Sequence, residues 1–283
     1  MPENNNQTIV VAPFVSKLGG IPLNQFSQPK IMLALQGPGG SGKTTSALTF
    51  PNPIVAAFEC GLEEHRNRND VIEIQFYNPD VISKWDGGKF KPHATKLDAQ
   101  TNIKDAFLYW LKNEGLKIPY GYTFVLDSWS SMQDGFDIQE NSETHATKKG
   151  AEDGYVFWAE KVDYSRLVMS YLYSMKCNVV VLFHEIQTRD AKTGQLLEKI
   201  KPLMQGQFHA QLKRYFPYFY RMINEEKKDR EGHEIGCEYW WQIKSSNAFD
   251  AKTGIKVPDN IFKIAPTYQE FIQYQKTDKT ISA

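Results

Sequence analysis

Apolar residues fall along this chain in short runs that stop abruptly at a polar or acidic residue. Four such runs are Ile31-Met-Leu-Ala-Leu35 ahead of Gln36, Ile54-Val-Ala-Ala-Phe58 ahead of Glu59, Tyr122-Thr-Phe-Val-Leu126 ahead of Asp127, and Asn178-Val-Val-Val-Leu-Phe183 ahead of His184. Runs of this length with little alternation predict strands covered on both faces of a sheet. Val71-Ile-Glu-Ile-Gln-Phe76 alternates and predicts a further strand. Between the runs, helical spacing predicts helices from Thr44 to about Phe50, from Ala99 to Leu116, and from Tyr155 to Met175. The second of these carries Phe107, Leu108, Trp110 and Leu111 on its buried side. Strands and helices in alternation imply an α/β fold whose central sheet is mostly parallel, with helices on both faces.

Outside this rhythm the texture differs. Residues 1–28 read as an arm: a polar tail, the strand-prone Thr8-Ile-Val-Val-Ala12, then a loop with Gly19, Gly20 and Pro22. Pro79 to Lys96 is polar and reads as a loop. The pentapeptide Asp-Ala-Lys-Thr-Gly occurs at 190–194 and again at 250–254, each time between strand-like segments. Two hairpin turns closed by a left-handed glycine account for both copies. Residues 268–283 are polar and read as a frayed tail, which leaves 29–267 as the core.

The first strand leads into Gly37-Pro-Gly-Gly-Ser-Gly42-Lys43-Thr44-Thr45, and Ser46-Ala-Leu-Thr-Phe50 then begins a helix. Strand, loop and helix in that order are the context that the G-x-x-x-x-G-K-[ST] pattern of a phosphate-binding loop requires. Gly37, Gly39, Gly40 and Gly42, with Pro38 and Ser41, let consecutive backbone N–H groups converge on phosphate oxygens, and the helix N-terminus adds partial positive charge. Lys43 reaches the β- and γ-phosphates, while the Thr44 hydroxyl ligates Mg²⁺ and Thr45 continues the loop into the helix. Gly37-x-Gly39-x-x-Gly42 also fits a dinucleotide fingerprint, with Glu59 near the place of its ribose-binding acid. Lys43-Thr44 argues for a nucleoside triphosphate such as ATP instead, since a dinucleotide turn has no use for a phosphate-gripping lysine.

Composition narrows the partners. The chain of 283 residues holds 33 basic and 33 acidic residues, so no global field draws it to nucleic acid, and a DNA site must be a local cluster. Cys60, Cys177 and Cys237 form no C-x-x-C pair and read as free thiols rather than a structural zinc site. No apolar stretch reaches membrane-spanning length, and Met1-Pro-Glu-Asn-Asn-Asn-Gln7 is unlike a signal peptide, so the expectation is a cytoplasmic protein with no membrane partner.

Three strand ends carry the remaining chemistry. Asp127, followed by Ser128, sits where a Walker B acid holds Mg²⁺ directly or through water. Glu59 is the carboxylate best placed to orient or deprotonate an attacking water; Glu63 and Glu64 are runners-up, and a solvated acidic turn is the alternative. His184 ends the last core strand, where it can meet the γ-phosphate and report its loss, or simply be a hydrogen-bonded histidine.

In this order of parts the chain resembles the RecA-like P-loop ATPase core, and most of all the phage-encoded RecA-like or AAA-type nucleotide-binding proteins of recombination and single-strand annealing. The resemblance spans roughly Lys30 to Ile264 and rests on the P-loop, Phe58-Glu59-Cys60-Gly61, Leu126-Asp127-Ser128, Asp153-Gly154-Tyr155 and Phe183-His184-Glu185, with Ala251-Lys252 before Val257-Pro258 resembling the family's last strand pair. It implies Glu59 as catalytic glutamate, His184 as the sensor opening a DNA-binding loop, ATP and Mg²⁺ as ligands, and a host-cell cytoplasm as the compartment. Ala57 departs from the pattern, because relatives often carry an acid two residues before the glutamate.

The resemblance further implies that single-stranded DNA meets two loops after core strands. Here these are 135–154, with His145, Lys148 and Lys149, and 187–211, with Arg189, Lys192, Lys199, Lys201 and His209. Lysines there bind phosphates without reading bases. Asp190 and Glu198 dilute the charge, so ordinary solvated loops are the bland reading. A homo-oligomer would complete the ATP site with a neighbour's Lys252, Lys256 or Arg214, and the segment Thr8–Phe14 can join protomers by strand addition. Two other classes remain open on sequence alone: a small-molecule P-loop kinase, for which no Arg-rich lid motif is present, and a nucleotide-gated assembly factor.

Overall fold

The computed structural model describes residues 30–77, 103–136, 154–204, 208–254 and 257–281. The arm 1–28, the loop 79–96, the cluster His145 to Lys149, and Lys256 lie outside these residues. Ile31–Ala283 form one compact unit.

Its strands are β1 Met32–Gln36, β2 Pro53–Ala57, β3 Ile72–Gln75, β4 Thr123–Asp127, β5 Asn178–Phe183, β6 Glu185–Ile186, β7 Lys201–Pro202, β8 Tyr218–Lys228, β9 Glu234–Gln242 and β10 Lys263–Ile264. Eight of them form one sheet in the order β3-β2-β4-β5-β1-β8-β9-β10. Strands β3 through β8 of that order run parallel, and β8-β9-β10 are antiparallel. The phosphate-loop strand β1 is thus central, between β5 and β8, and β5 separates it from the Asp127 strand β4. This is the expected α/β architecture, a mostly parallel central sheet with helices on both faces and antiparallel strands toward the C-terminus.

Both faces of the sheet are covered, which is why its central strands carry continuous apolar runs. Met32 and Ala34 pack on one side with Phe107 and Trp110 of helix α2 (Ile103–Asn113) and with Val168 and Leu172 of helix α3 (Gly154–Ser174). Leu33 and Leu35 pack on the other with Ala47, Leu48 and Phe50, in and after helix α1 (Lys43–Ala47), and with Phe271. Registers such as Leu35 opposite Leu182 and Gln36 opposite Phe183 align the ends of β1 and β5. As a result Gln36, Asp127 and Phe183 finish at one edge, where loops carry the chemistry.

Two readings of the sequence need correction. Residues 268–281 are not a frayed tail: beyond helix α4 (Phe208–Tyr215) they form helix α5 (Tyr268–Ile281), which buries Phe271 completely, in ring contact with Phe50, Tyr218 and Trp241. Tyr268, Ile272 and Tyr274 pack against the same cluster, so four apolar side chains at helical spacing hold an otherwise polar segment on the core. The second Asp-Ala-Lys-Thr-Gly is not a hairpin turn. Lys252 instead exchanges backbone bonds with Phe219 at 2.8 and 3.0 Å, and Gly254 does not take a positive φ. The first copy is such a turn, with Gly194 at φ 68° and its N–H on Asp190 O at 2.9 Å. The long β8–β9 hairpin, which turns at Asp229–His233, pairs Tyr239 with Asn224 instead.

Candidate functional site

The phosphate loop is shaped by close approach and by two left-handed glycines. A Cβ on Gly37 would lie 2.7 Å from Ser41 Oγ and 2.9 Å from Met222 Cβ, so no larger residue fits. Gly40 and Gly42 adopt φ 70° and 80°, which only glycine takes without strain. Lys43, 6 % exposed, donates to Gly37 O at 3.0 Å and to Pro38 O at 2.7 Å, leaving its third N–H for a ligand. Burial lowers its pKa, against the pull of Asp127, Glu59 and Glu185.

Thr44 Oγ1 donates to Asp127 Oδ2 at 2.8 Å, joining the start of α1 to the end of β4. Asp127 is 3 % exposed, and burial pushes its pKa up to about 6 although the Thr44 bond pulls it down. Gly61 passes beside the pair: a Cβ there would stand 3.6 Å from Asp127 Oδ2 and 3.9 Å from Thr44 Oγ1. A hydroxyl and a carboxylate form a small hard-oxygen set. It fits Mg²⁺, which takes few protein ligands and fills its octahedron with water and phosphate oxygens.

Glu59 follows β2 at the same edge. Its two oxygens lie 3.1 and 3.2 Å from His184 Nε2, and Ser131 Oγ donates to Oε2 at 3.0 Å. The hydrogen bond from His184 is the main cause that lowers the Glu59 pKa, outweighing the burial that would raise it. Ser131 belongs to a helical stretch, residues 129–136, that starts directly after β4. The same stretch anchors the histidine, because the His184 backbone N–H donates to Ser130 Oγ at 3.2 Å. Of the runner-up acids, Glu63 pairs with Arg66 at 2.8 Å on the surface, whereas Glu64 lines the nucleotide cavity.

That cavity measures 740 Å³ and brings the loop residues from Gly39 to Thr45 together with Glu59, Asp127 and His184. Its opposite wall was not legible in the sequence: Tyr239 of β9, with Pro266 and Thr267 ahead of α5. Thr49 ties that wall to the phosphate-loop helix, accepting the Tyr268 N–H at 2.9 Å while donating to Ser46 O at 2.7 Å. Among the described residues no arginine lines the cavity.

From His184 the chain runs straight into the β6–β7 hairpin, which carries the expected basic residues of the second loop. Glu185 is held by Arg221 through two bonds of 2.9 Å and is buried, and its pKa is lowered although burial opposes this. Arg189 donates to Gln187 and to Gly194 O. Lys199 pairs with Asp250, and Lys201 with Glu198. Of the suggested neighbour-reaching cations, Lys252 donates to Lys213 O at 2.7 Å and Arg214 is exposed.

A glycine loop, an inward lysine, a threonine–aspartate pair and a carboxylate at adjoining strand ends define a P-loop nucleoside triphosphatase. A family model described as an AAA domain matches residues 29–255, and the chain belongs to this family of nucleotide-binding ATPases. Among solved structures it is similar to one titled "Crystal structure of the RadB recombinase", at 14% identity over 84% of this chain and 96% of that chain, with a TM-score of 0.33. Nothing matches among curated protein sequences. No helix among the described residues is long and apolar enough to cross a membrane.

Proposed function

We propose that this chain hydrolyses ATP with Mg²⁺ and acts on single-stranded DNA in recombination or replication, as the phage-encoded type it resembles would. The observation that carries the reading is the Glu59–His184 contact, since it joins the nucleotide cavity to the strand end from which the basic hairpin departs. The backbone of 37–45 and Lys43 bind the phosphates. Thr44 and Asp127 hold Mg²⁺, which when bound neutralises charge developing on the transferred phosphoryl group. Glu59, held by Ser131 and His184, orients the attacking water and accepts its proton. His184 shares its Nε2 between Glu59 and the position of the γ-phosphate, so loss of that phosphate changes the bond at the hairpin's root.

A homo-oligomer is part of the proposal. The cavity has no arginine of its own among the described residues, and a neighbour's basic side chain would supply the missing positive charge. Residues 8–14 are the proposed linker, and light scattering of a chain lacking residues 1–15 tests it: a monomer is expected, and an unchanged oligomer removes the arm from that role.

The function is tested by fluorescence anisotropy of a labelled oligothymidylate, with a non-hydrolysable ATP analogue and with ADP. Binding that differs between the two nucleotide states is expected. Absence of binding in both overturns the DNA part of the proposal and favours the kinase or assembly-factor class.

A further inference from the structure

Strands β2, β4, β5, β1 and β8 lie side by side and parallel, and polar side chains form a row across their ends in that order. The row runs from Glu59 through Ser130 and Ser131 to His184 and Glu185, and on to Gln36 and Arg221, which are register partners. His184 faces one way along it, with Nε2 at 3.1 and 3.2 Å from the Glu59 oxygens. Glu185, the next residue, faces the other way. It accepts bonds of 2.9 Å from both Nε and Nη2 of Arg221, and one of 2.6 Å from the Gln187 amide. Gln36 adds a hydrogen bond that helps lower the Glu185 pKa. The main chain between the two side chains is held as well. The His184 N–H donates to Ser130 Oγ at 3.2 Å, and its carbonyl accepts the Leu203 N–H at 2.7 Å.

The Glu185–Arg221 pair is deep, with side chains 2% and 17% exposed. Taking two charges out of water offsets most of their attraction, and a well-packed apolar pair would serve stability as well. What the ion pair supplies is geometry, because two parallel bonds between a guanidinium and a carboxylate fix both distance and orientation. Arg221 is itself fixed. The following residue, Met222, packs so closely on the start of the phosphate loop that a Cβ on Gly37 would lie 2.9 Å from its Cβ. The residue after His184 is thereby tied to the strand that borders the loop. Glu185 does not line the nucleotide cavity, so its influence there passes through its neighbours. A shift of about 1 Å in a group that orients the reacting atoms can cost on the order of 10²-fold in rate.

We propose that Glu185, gripped by Arg221, is a positioning residue for ATP hydrolysis: it holds His184 against Glu59 and so fixes the carboxylate that receives the proton of water. The inference rests on the reading of Glu59 as that carboxylate and of His184 as its partner.

The test is the steady-state ATPase of the full-length protein with Mg²⁺. Glu185→Gln should lower kcat by about 10- to 100-fold. The KM for ATP should change little, because Lys43 keeps its grip on the phosphates. The discriminating variant is the double one. In a His184→Ala background Glu185→Gln should cost nothing further, whereas a role independent of His184 would add its full effect. Thermal melting checks the fold. If the unpaired Arg221 charge prevents Glu185→Gln from folding, Glu185→Met/Arg221→Met removes both charges and carries the same measurement. A loss of kcat that vanishes in the His184→Ala background supports the inference. Wild-type kcat in the Glu185 variant, or losses that add, overturn it and leave the reading of Glu59 and His184 intact. Loss of the fold in both variants also overturns it, making the pair a structural tie. A His184→Ala protein as fast as wild type, or a wild type without ATPase, overturns that reading and the inference with it.

Discussion

Lys43 and Asp127 are 6 % and 3 % exposed, while the hairpin lysines 199 and 201, on the same edge of the sheet, are 48% and 40% exposed. In the first region a charge taken out of water has a defined partner: Lys43 the loop carbonyls, Asp127 the Thr44 hydroxyl. Losing either partner leaves a buried polar group unmet, at a cost of about 1–3 kcal/mol or more. In the second region Lys199 and Lys201 each sit beside an acid in solvent, where a pair contributes about 0–1 kcal/mol and partners exchange freely. The nucleotide end therefore depends on single atoms, and the hairpin on the sum of its charges.

The sharpest way to break this comparison is Lys43→Ala. ATP turnover should fall below detection in a phosphate-release assay, because the phosphate grip comes from one amine; residual turnover within tenfold of wild type would contradict single-atom dependence. Next, Glu59→Gln should retain ATP affinity yet slow hydrolysis by roughly 10²-fold or more, since an amide accepts no proton from water. Wild-type hydrolysis by that variant would transfer the role to Glu64, the other glutamate lining the cavity.

Asp127 gives a pH-dependent prediction of opposite sign to its catalytic effect. Its folded pKa of about 6 lies above the ordinary 3.8, so its contribution to stability is fully present below 3.8 and is lost as pH rises through about 6. Without Mg²⁺, Asp127→Asn should therefore stabilise the fold near pH 8, by up to about 3 kcal/mol, with the gain shrinking toward pH 5, while abolishing Mg²⁺-dependent turnover. A melting temperature that Asn lowers equally at both pH values would show that the carboxylate is not strained by burial.

The smallest effects belong to the hairpin. Charge reversal at any one lysine should change strand affinity a few-fold. Reversing Lys192 and Lys201 together with Lys148 and Lys149 should weaken it strongly and flatten the log–log salt slope by about 0.7 per lost phosphate contact. A single lysine carrying the whole effect would place the hairpin in the same class as the nucleotide end.

The two regions also differ in how far they can be read from sequence. An apolar run ended by Gln36, Glu59, Asp127 or His184 marks both a buried strand and the group it presents, so the central strands and their chemistry are legible from periodicity and motif. Glu225–Lys228 and Glu234–Glu238 are exposed on both faces of their hairpin, which leaves no alternation to read. The repeated pentapeptide has identical turn chemistry in both copies, and only the distant Phe219 decides that Lys252 pairs as a bridge. Tyr239, Pro266 and Thr267 reach the nucleotide cavity through the fold of the C-terminal strands, a juxtaposition with no local signal. Ser131 had a weak one: it lies within the first helical turn after Asp127, on the strand end already marked.

The most direct measurement is the steady-state ATPase rate of the wild-type protein with Mg²⁺, titrated with single-stranded DNA. The account predicts a measurable basal rate that rises with DNA and saturates, at a DNA concentration that increases with salt. A rate indifferent to DNA across the titration, under conditions where the strand is bound, would contradict the coupling through Glu59 and His184 on which the account rests.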